Sequence, residues 1–176
     1  AFPTLIYEKL QAMEVSGPIA FSPDGTLLYF SKAVSNKELK IKTKIPFFRY
    51  QLYTITMSTI NNIQPEIKKF KYNVPDYDFM HPSLSADGKR LFFVSNRKGS
   101  IGGKDIFVCD WVNGNWSEPI NAGQEVNTPG NELYPQGGLD SVLYFASDRR
   151  PGLGGLDVFY AIYRSEERRV GKECLP

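Results

Sequence analysis

The chain has 176 residues, 21 Lys and Arg against 19 Asp and Glu, a net charge of +2, and 14% aromatic residues. That length suits one domain with a sizeable core, and no apolar run approaches the length a membrane helix needs, so no membrane span is expected. The near-neutral balance gives no support to a nucleic-acid partner, and many aromatics with few helical patterns point to an all-β class.

Ala1 to Ser16 reads as a lead-in; with neither an initiator methionine nor a signal peptide at Ala1, a fragment or a mature product is expected. From Gly17, "GPIAFSPDGTLLYFSK" gives a short apolar run, an Asp24-Gly25 turn and an aromatic-rich run at Leu28 to Ser31. Asp-Gly between apolar runs is a hairpin signal, because glycine takes positive φ at no steric cost. A basic excursion over 32–51 follows, with Lys32, Lys37, Lys40, Lys42, Lys44 and Arg49 against Glu38 alone. It leads to a third run at Leu52 to Met57. A loop this long in a compact domain is functional or a solvated extended hairpin, and its charge could meet an anionic surface. Lys40, Lys42, Lys44 and Arg49 are therefore candidate partner contacts.

The pattern then recurs. "HPSLSADGKRLFFVSNR" (His81 to Arg97) turns on Asp87-Gly88, and "YPQGGLDSVLYFASDR" (Tyr134 to Arg149) turns on Leu139-Asp140-Ser141. "RLFFVS" and "VLYFAS" are apolar on both faces, as a strand covered on both sides should be. Each is followed by a glycine-rich turn, "NRKGSIGGKDIF" or "DRRPGLGGLDVF". Arg97, Gly102, Gly103, Asp105 and Phe107 answer to Arg149, Gly154, Gly155, Asp157 and Phe159 at one offset of 52. A third strand begins at each Asp. After Trp111, Asn113-Gly114 predicts a further hairpin into a fourth strand at Trp116. Four antiparallel strands in tandem units describe propeller blades. The expected fold is an all-β partial β-propeller of about three four-stranded blades, over 17–79, 80–131 and 132–163, with the third cut short.

The glycine-rich turn is not a phosphate cradle. Its spacing is wrong, a strand follows instead of a helix, and Lys104 answers to Leu156. The turn is architectural. Eight residues separate each Arg from its Asp across the hairpin, which predicts a cross-strand ion pair. The competing arrangement has each Asp carboxylate accepting backbone N–H groups of the turn. His81 is the only histidine and answers to Tyr134, so neither a metal site nor a Ser/His/Asp apparatus is expected, and no cofactor. Cys109 reads as a small buried apolar side chain. Asn127 and Asn131, in the "NTPGNE" connection, are further candidate partner contacts.

Arg164 to Cys174, "RSEERRVGKEC", is similar over its whole length to the translation of a common sequencing adapter, so 164–176 is read as foreign to the fold. Taking its four basic and three acidic residues from the 21 and 19 of the chain leaves a net charge near +1.

The phrases "FSPDG", "HPSLSADGKRLFFVSNRKGSIGGKDIF", "WSEPINAGQEVNTPGNE" and "LYFASDRRPGLGGLDVFYA" resemble the TolB-type, WD40-like propeller repeats of bacterial envelope proteins, especially OmpA-family lipoproteins and secretion-system components. The resemblance implies a non-enzymatic scaffold for protein–protein interaction in the periplasm, associated with the outer membrane. Its partners would be envelope or secretion-system proteins, with peptidoglycan reached only through another domain. A similar repeat gates the catalytic domain of prolyl-oligopeptidase-like peptidases, which is the alternative. A carbohydrate-binding propeller is a third reading, with exposed aromatics near Trp111 and Trp116 as its signature.

Overall fold

The computed structural model describes residues 10–11, 13–60, 65–139, 141–163 and 170–173. It is an all-β partial propeller of three antiparallel sheets. The first blade contains β1 (Val15–Phe21), β2 (Leu27–Ser35), β3 (Phe48–Thr56) and β4 (Ile67–Lys69). The second contains β5 (Phe79–Leu84), β6 (Arg90–Ser95), β7 (Asp105–Val112), β8 (Asn115–Trp116) and β9 (Ile120–Asn121). Both β8 and β9 pair with β7, so the fourth strand of this blade is split in two. The third contains β10 (Glu132–Gly137), β11 (Val142–Ser147), β12 (Asp157–Tyr163) and β13 (Val170–Glu173).

The turns follow the sequence signals. Gly25, Gly88 and the Asn113-Gly114 pair all take positive φ, as Asp-Gly and Asn-Gly hairpins require. Asp140, in the degraded turn of the third unit, lies outside the described residues. The excursion over 32–51 is shorter than expected, because β2 runs on to Ser35 and β3 starts at Phe48. Only 36–47 is loop.

The third blade differs from expectation in having a fourth strand. It comes from Val170–Glu173, inside the segment read as foreign, and pairs antiparallel with β12. The physical reason is that an edge strand offers a row of backbone donors and acceptors, which a following segment without proline can meet whatever its side chains.

Two apolar layers hold the blades together. Tyr29 and Leu52 of the first blade pack with Phe79, Leu91, Phe93 and Phe107 of the second. Phe92, Val94, Ile106 and Val108 of the second pack with Leu143, Phe145, Phe159 and Ala161 of the third. Alternate residues of β6 thus face opposite neighbours, which is why "RLFFVS" carries no polar stripe. Each buried aromatic or aliphatic side chain contributes roughly 1.5–3 kcal/mol relative to exposure. The outer face of the third blade has no such neighbour. Tyr144 and Val158 are 41% and 62% exposed, whereas Phe92 and Ile106, the same positions in the second blade, are 3% and 0% exposed. Among the described residues no helix is long and apolar enough to cross a membrane.

Candidate functional site

The glycine-rich turns are built around their aspartates. Asp105 is fully buried, and its carboxylate accepts the N–H groups of Ile101 (2.6 Å) and Gly102 (3.1 Å) and the Asn121 amide (2.7 Å). Asp157 accepts the N–H of Gly154 at 3.2 Å. The expected ion pairs are absent among the described residues; the carboxylates take the competing arrangement. Register explains this. Ser95 stands opposite Asp105 and Ser147 opposite Asp157, which leaves Arg97 and Arg149 beyond the ladder.

Arg97 lies over the Phe107 ring and donates to the Pro119 carbonyl at 3.4 Å. In the third blade the residue stacked on Phe159 is Arg150, not Arg149, and it also donates to the Glu125 and Val126 carbonyls. The one-residue offset between the two arginines is invisible in the aligned phrases.

The double glycine is a socket for the loop that enters the next blade. A Cβ on Gly102 would strike the carbonyls of Thr128 and Gly130, while Gly103 N–H donates to the Gly130 carbonyl at 2.8 Å. Gly154 and Gly155 instead take positive φ, with nothing near the place of a Cβ. The first blade lacks the glycines and uses side chains. Gln51 donates to the Tyr77 carbonyl at 2.9 Å, and Asp78 accepts from Tyr50 N–H at 3.0 Å.

Two candidate contacts need correction. Asn127 is 1% exposed and spends its amide on the backbone of Ile106, so it is unavailable to a partner. Arg49 is half-buried, 3.8 Å from the Asp78 carboxylate and over the Phe47 ring. Asn131 donates to Asp148 at 2.7 Å in an exposed position. Lys40, Lys42 and Lys44 are exposed on the 36–47 loop.

The residues to which the sequence reading gave no role lie on the first strands of the blades. In each blade the register of the first strand slips, between Ser16 and Ala20, Met80 and Ser83, and Leu133 and Gln136. At each slip stands a residue with positive φ directly before proline: Gly17 (78°), His81 (51°) and Tyr134 (53°). His81 lies against Gly17 on one side. On the other it stacks on Tyr134, with ring centroids 4.3 Å apart and planes 13° apart. Tyr134 N–H points at His81 Nδ1 at 3.4 Å, which leaves the ring proton on Nε2. Burial, with help from the Lys104 cation, pushes the His81 pKa down to about 4. Ser16, Ser31, Tyr50 and Lys104 complete a groove of about 240 Å³ around this column. The signal that could have found it is the Xaa-Pro step repeated in all three first runs.

A positive φ on a non-glycine residue is uncommon, and β-bulges re-aim side chains beside functional sites. This column therefore offers a neutral imidazole, a phenol and an ammonium to a ligand. Among the described residues no cluster of three His, Cys, Asp or Glu could hold a metal. Elsewhere, Trp111 is 45% exposed and packs edge-on against Trp116, with centroids 4.9 Å apart.

No family model and no curated protein matches the chain. Solved structures do. A Mycobacterium tuberculosis puromycin-hydrolysing peptidase is similar at 16% identity and TM-score 0.53, over 86% of this chain and 22% of that one. That likeness establishes the fold. TolB from Acinetobacter baumannii is similar at 20% identity and TM-score 0.49, over 88% of this chain and 31% of that one. A structure from work on two prolyl endopeptidases gives 14% and 0.45, over 81% and 19%. The chain thus spans less than a third of the length of each.

Proposed function

We propose that the protein is a non-enzymatic propeller module that binds another protein of the bacterial envelope at the groove around His81 and Tyr134. The observation that supports this reading is the column of Gly17, His81 and Tyr134. Residues shared by the repeats are consumed in holding blades together, as Asp105 and Asn127 are. The column instead puts different side chains at equivalent, strained positions. Strain of this kind costs of order 1–3 kcal/mol and persists where function uses it. The envelope setting, in the periplasm and associated with the outer membrane, comes from the resemblance of the repeats to TolB-type propellers.

The test compares the wild-type chain with a His81→Ala, Tyr134→Ala double variant, each immobilised and exposed to an envelope extract of the source bacterium. We expect a discrete protein on the wild type, reduced at least tenfold on the variant, which loses the stacked pair and melts a few degrees lower but is still fully folded at the temperature of the binding step. Equal retention on both would overturn the reading. So would a hydrolase domain fused to these blades in the full gene, which would make them the gate of a peptidase.

A further inference from the structure

We propose that the 36–47 tip of the first blade is a docking element for an anionic phospholipid surface. The β2–β3 ladder has nine residue pairs, from Leu27–Thr56 to Ser35–Phe48, where β6–β7 and β11–β12 have six each. The three extra pairs carry the tip about 10 Å beyond the ends of the other two ladders.

The tip has a fixed shape. Asn36 N–H donates to the Phe47 carbonyl at 2.9 Å, Ile41 N–H donates to the Asn36 carbonyl at 2.9 Å, and the Asn36 side chain bridges Ile41 and Phe47. Lys37, Lys40, Lys42 and Lys44 are exposed on it, and no described acid pairs with them. The one acid of the tip, Glu38, has its carboxylate bound to Ser35.

The apolar residues beside these lysines select the partner. Ile45 is 76% and Phe48 65% exposed, far more than a lone solvated hairpin requires. A soluble polyanion would engage the lysines and leave both side chains in water. A bilayer surface offers phosphates to the ammonium groups and a place just beneath them for the apolar side chains. The same pairing recurs more weakly at the tips of the other two hairpins, where Ile101 stands near Lys98 and the fully exposed Leu153 near Arg149. The first strands of the second and third blades run side by side in one direction, with His81 beside Tyr134 and Ser83 beside Gly137, which puts their hairpin tips on the same side.

The test is flotation of the whole chain with vesicles of phosphatidylcholine alone, or with about a third phosphatidylglycerol. The expected result is flotation with the anionic vesicles only, weakened by salt. Each lysine near such a surface strengthens binding about fivefold, so Lys40→Gln, Lys42→Gln and Lys44→Gln together weaken it about 100-fold. Ile45→Ser with Phe48→Ser, which leaves every charge in place, weakens it about tenfold. Both variants should melt like the wild type. Three results would overturn the proposal. One is flotation with neither vesicle, and another is equal flotation with both, which would point to the bare face of the third blade. The last is binding indifferent to Ile45 and Phe48 and competed away by soluble polyphosphate, which would identify a dissolved polyanion as the ligand.

Discussion

Asn127 grips Ile106 by both main-chain groups: its Oδ1 accepts the Ile106 N–H at 2.8 Å and its Nδ2 donates to the Ile106 carbonyl at 2.9 Å. Asn73 does the same to Leu52 one blade earlier, at 3.2 and 2.7 Å. Each Asn stands in an Asn-x-Pro step at the entrance to the next blade and clamps the third strand of the blade just left. Removing a partner from a buried donor or acceptor costs about 1–3 kcal/mol. Asn127→Ala orphans the Ile106 N–H, while the Ile106 carbonyl keeps the Ala122 N–H at 3.0 Å, so it lowers stability by about 1–3 kcal/mol, and urea melts should show Asn73→Ala costing less at its partly exposed site.

Gly102→Ala and Gly154→Ala separate packing from conformation. The first drives a methyl group into the carbonyls of Thr128 and Gly130 and should destabilise by about 2–3 kcal/mol or more. The second meets open space and should cost about 1–2 kcal/mol, from the positive φ. Thermal melts of both variants give the comparison.

The thiol of Cys109 is buried at 0% exposure between the first two blades, and burial pushes its pKa up to about 12. In a Cys174→Ser background, native protein should not react with a thiol reagent at neutral pH. Full reaction should appear only in denaturant, because the reactive species is the thiolate.

His81 makes stability pH-dependent in a defined window. Its folded pKa of about 4 lies below the ordinary value of 6.5, so the unfolded chain binds more protons between these two values. Its contribution is complete above pH 6.5 and is lost as pH falls toward 4. Because the ring is partly exposed, the loss between pH 7 and 5.5 should be about 1 kcal/mol, or about 2–4 °C in melting temperature. His81→Phe should remove that difference.

The outer face of the third blade, with Tyr144, Val158 and Ile162 exposed, should make the isolated chain oligomeric or poorly soluble. Val158→Lys should shift light-scattering masses toward the monomer; a monodisperse wild-type monomer would count against the open face.

The hairpins, the two-sided second strands and the order of blades were legible in the sequence, because Asp-Gly turns and unbroken apolar runs are local signals. The Asp105 turn was half legible: the spacing gave the Arg–Asp neck, but only the register shows Ser95 across from Asp105. Asn127 was misplaced because a polar residue in a turn-rich connection looks solvent-facing until the strand it clamps is known. His81 was noted and set aside, with Tyr134 as its counterpart, for a related reason. They differ between copies, so the repeat itself hid a site defined by backbone geometry shared among unlike side chains.

The most direct test of the central claim puts a photo-crosslinking residue at position 134 in the groove, or at position 139 in the β10–β11 turn at the opposite end of β10, in protein exposed to envelope extract. The account predicts a discrete protein adduct from 134 and none from 139. Adducts from 139 with none from 134 would contradict it.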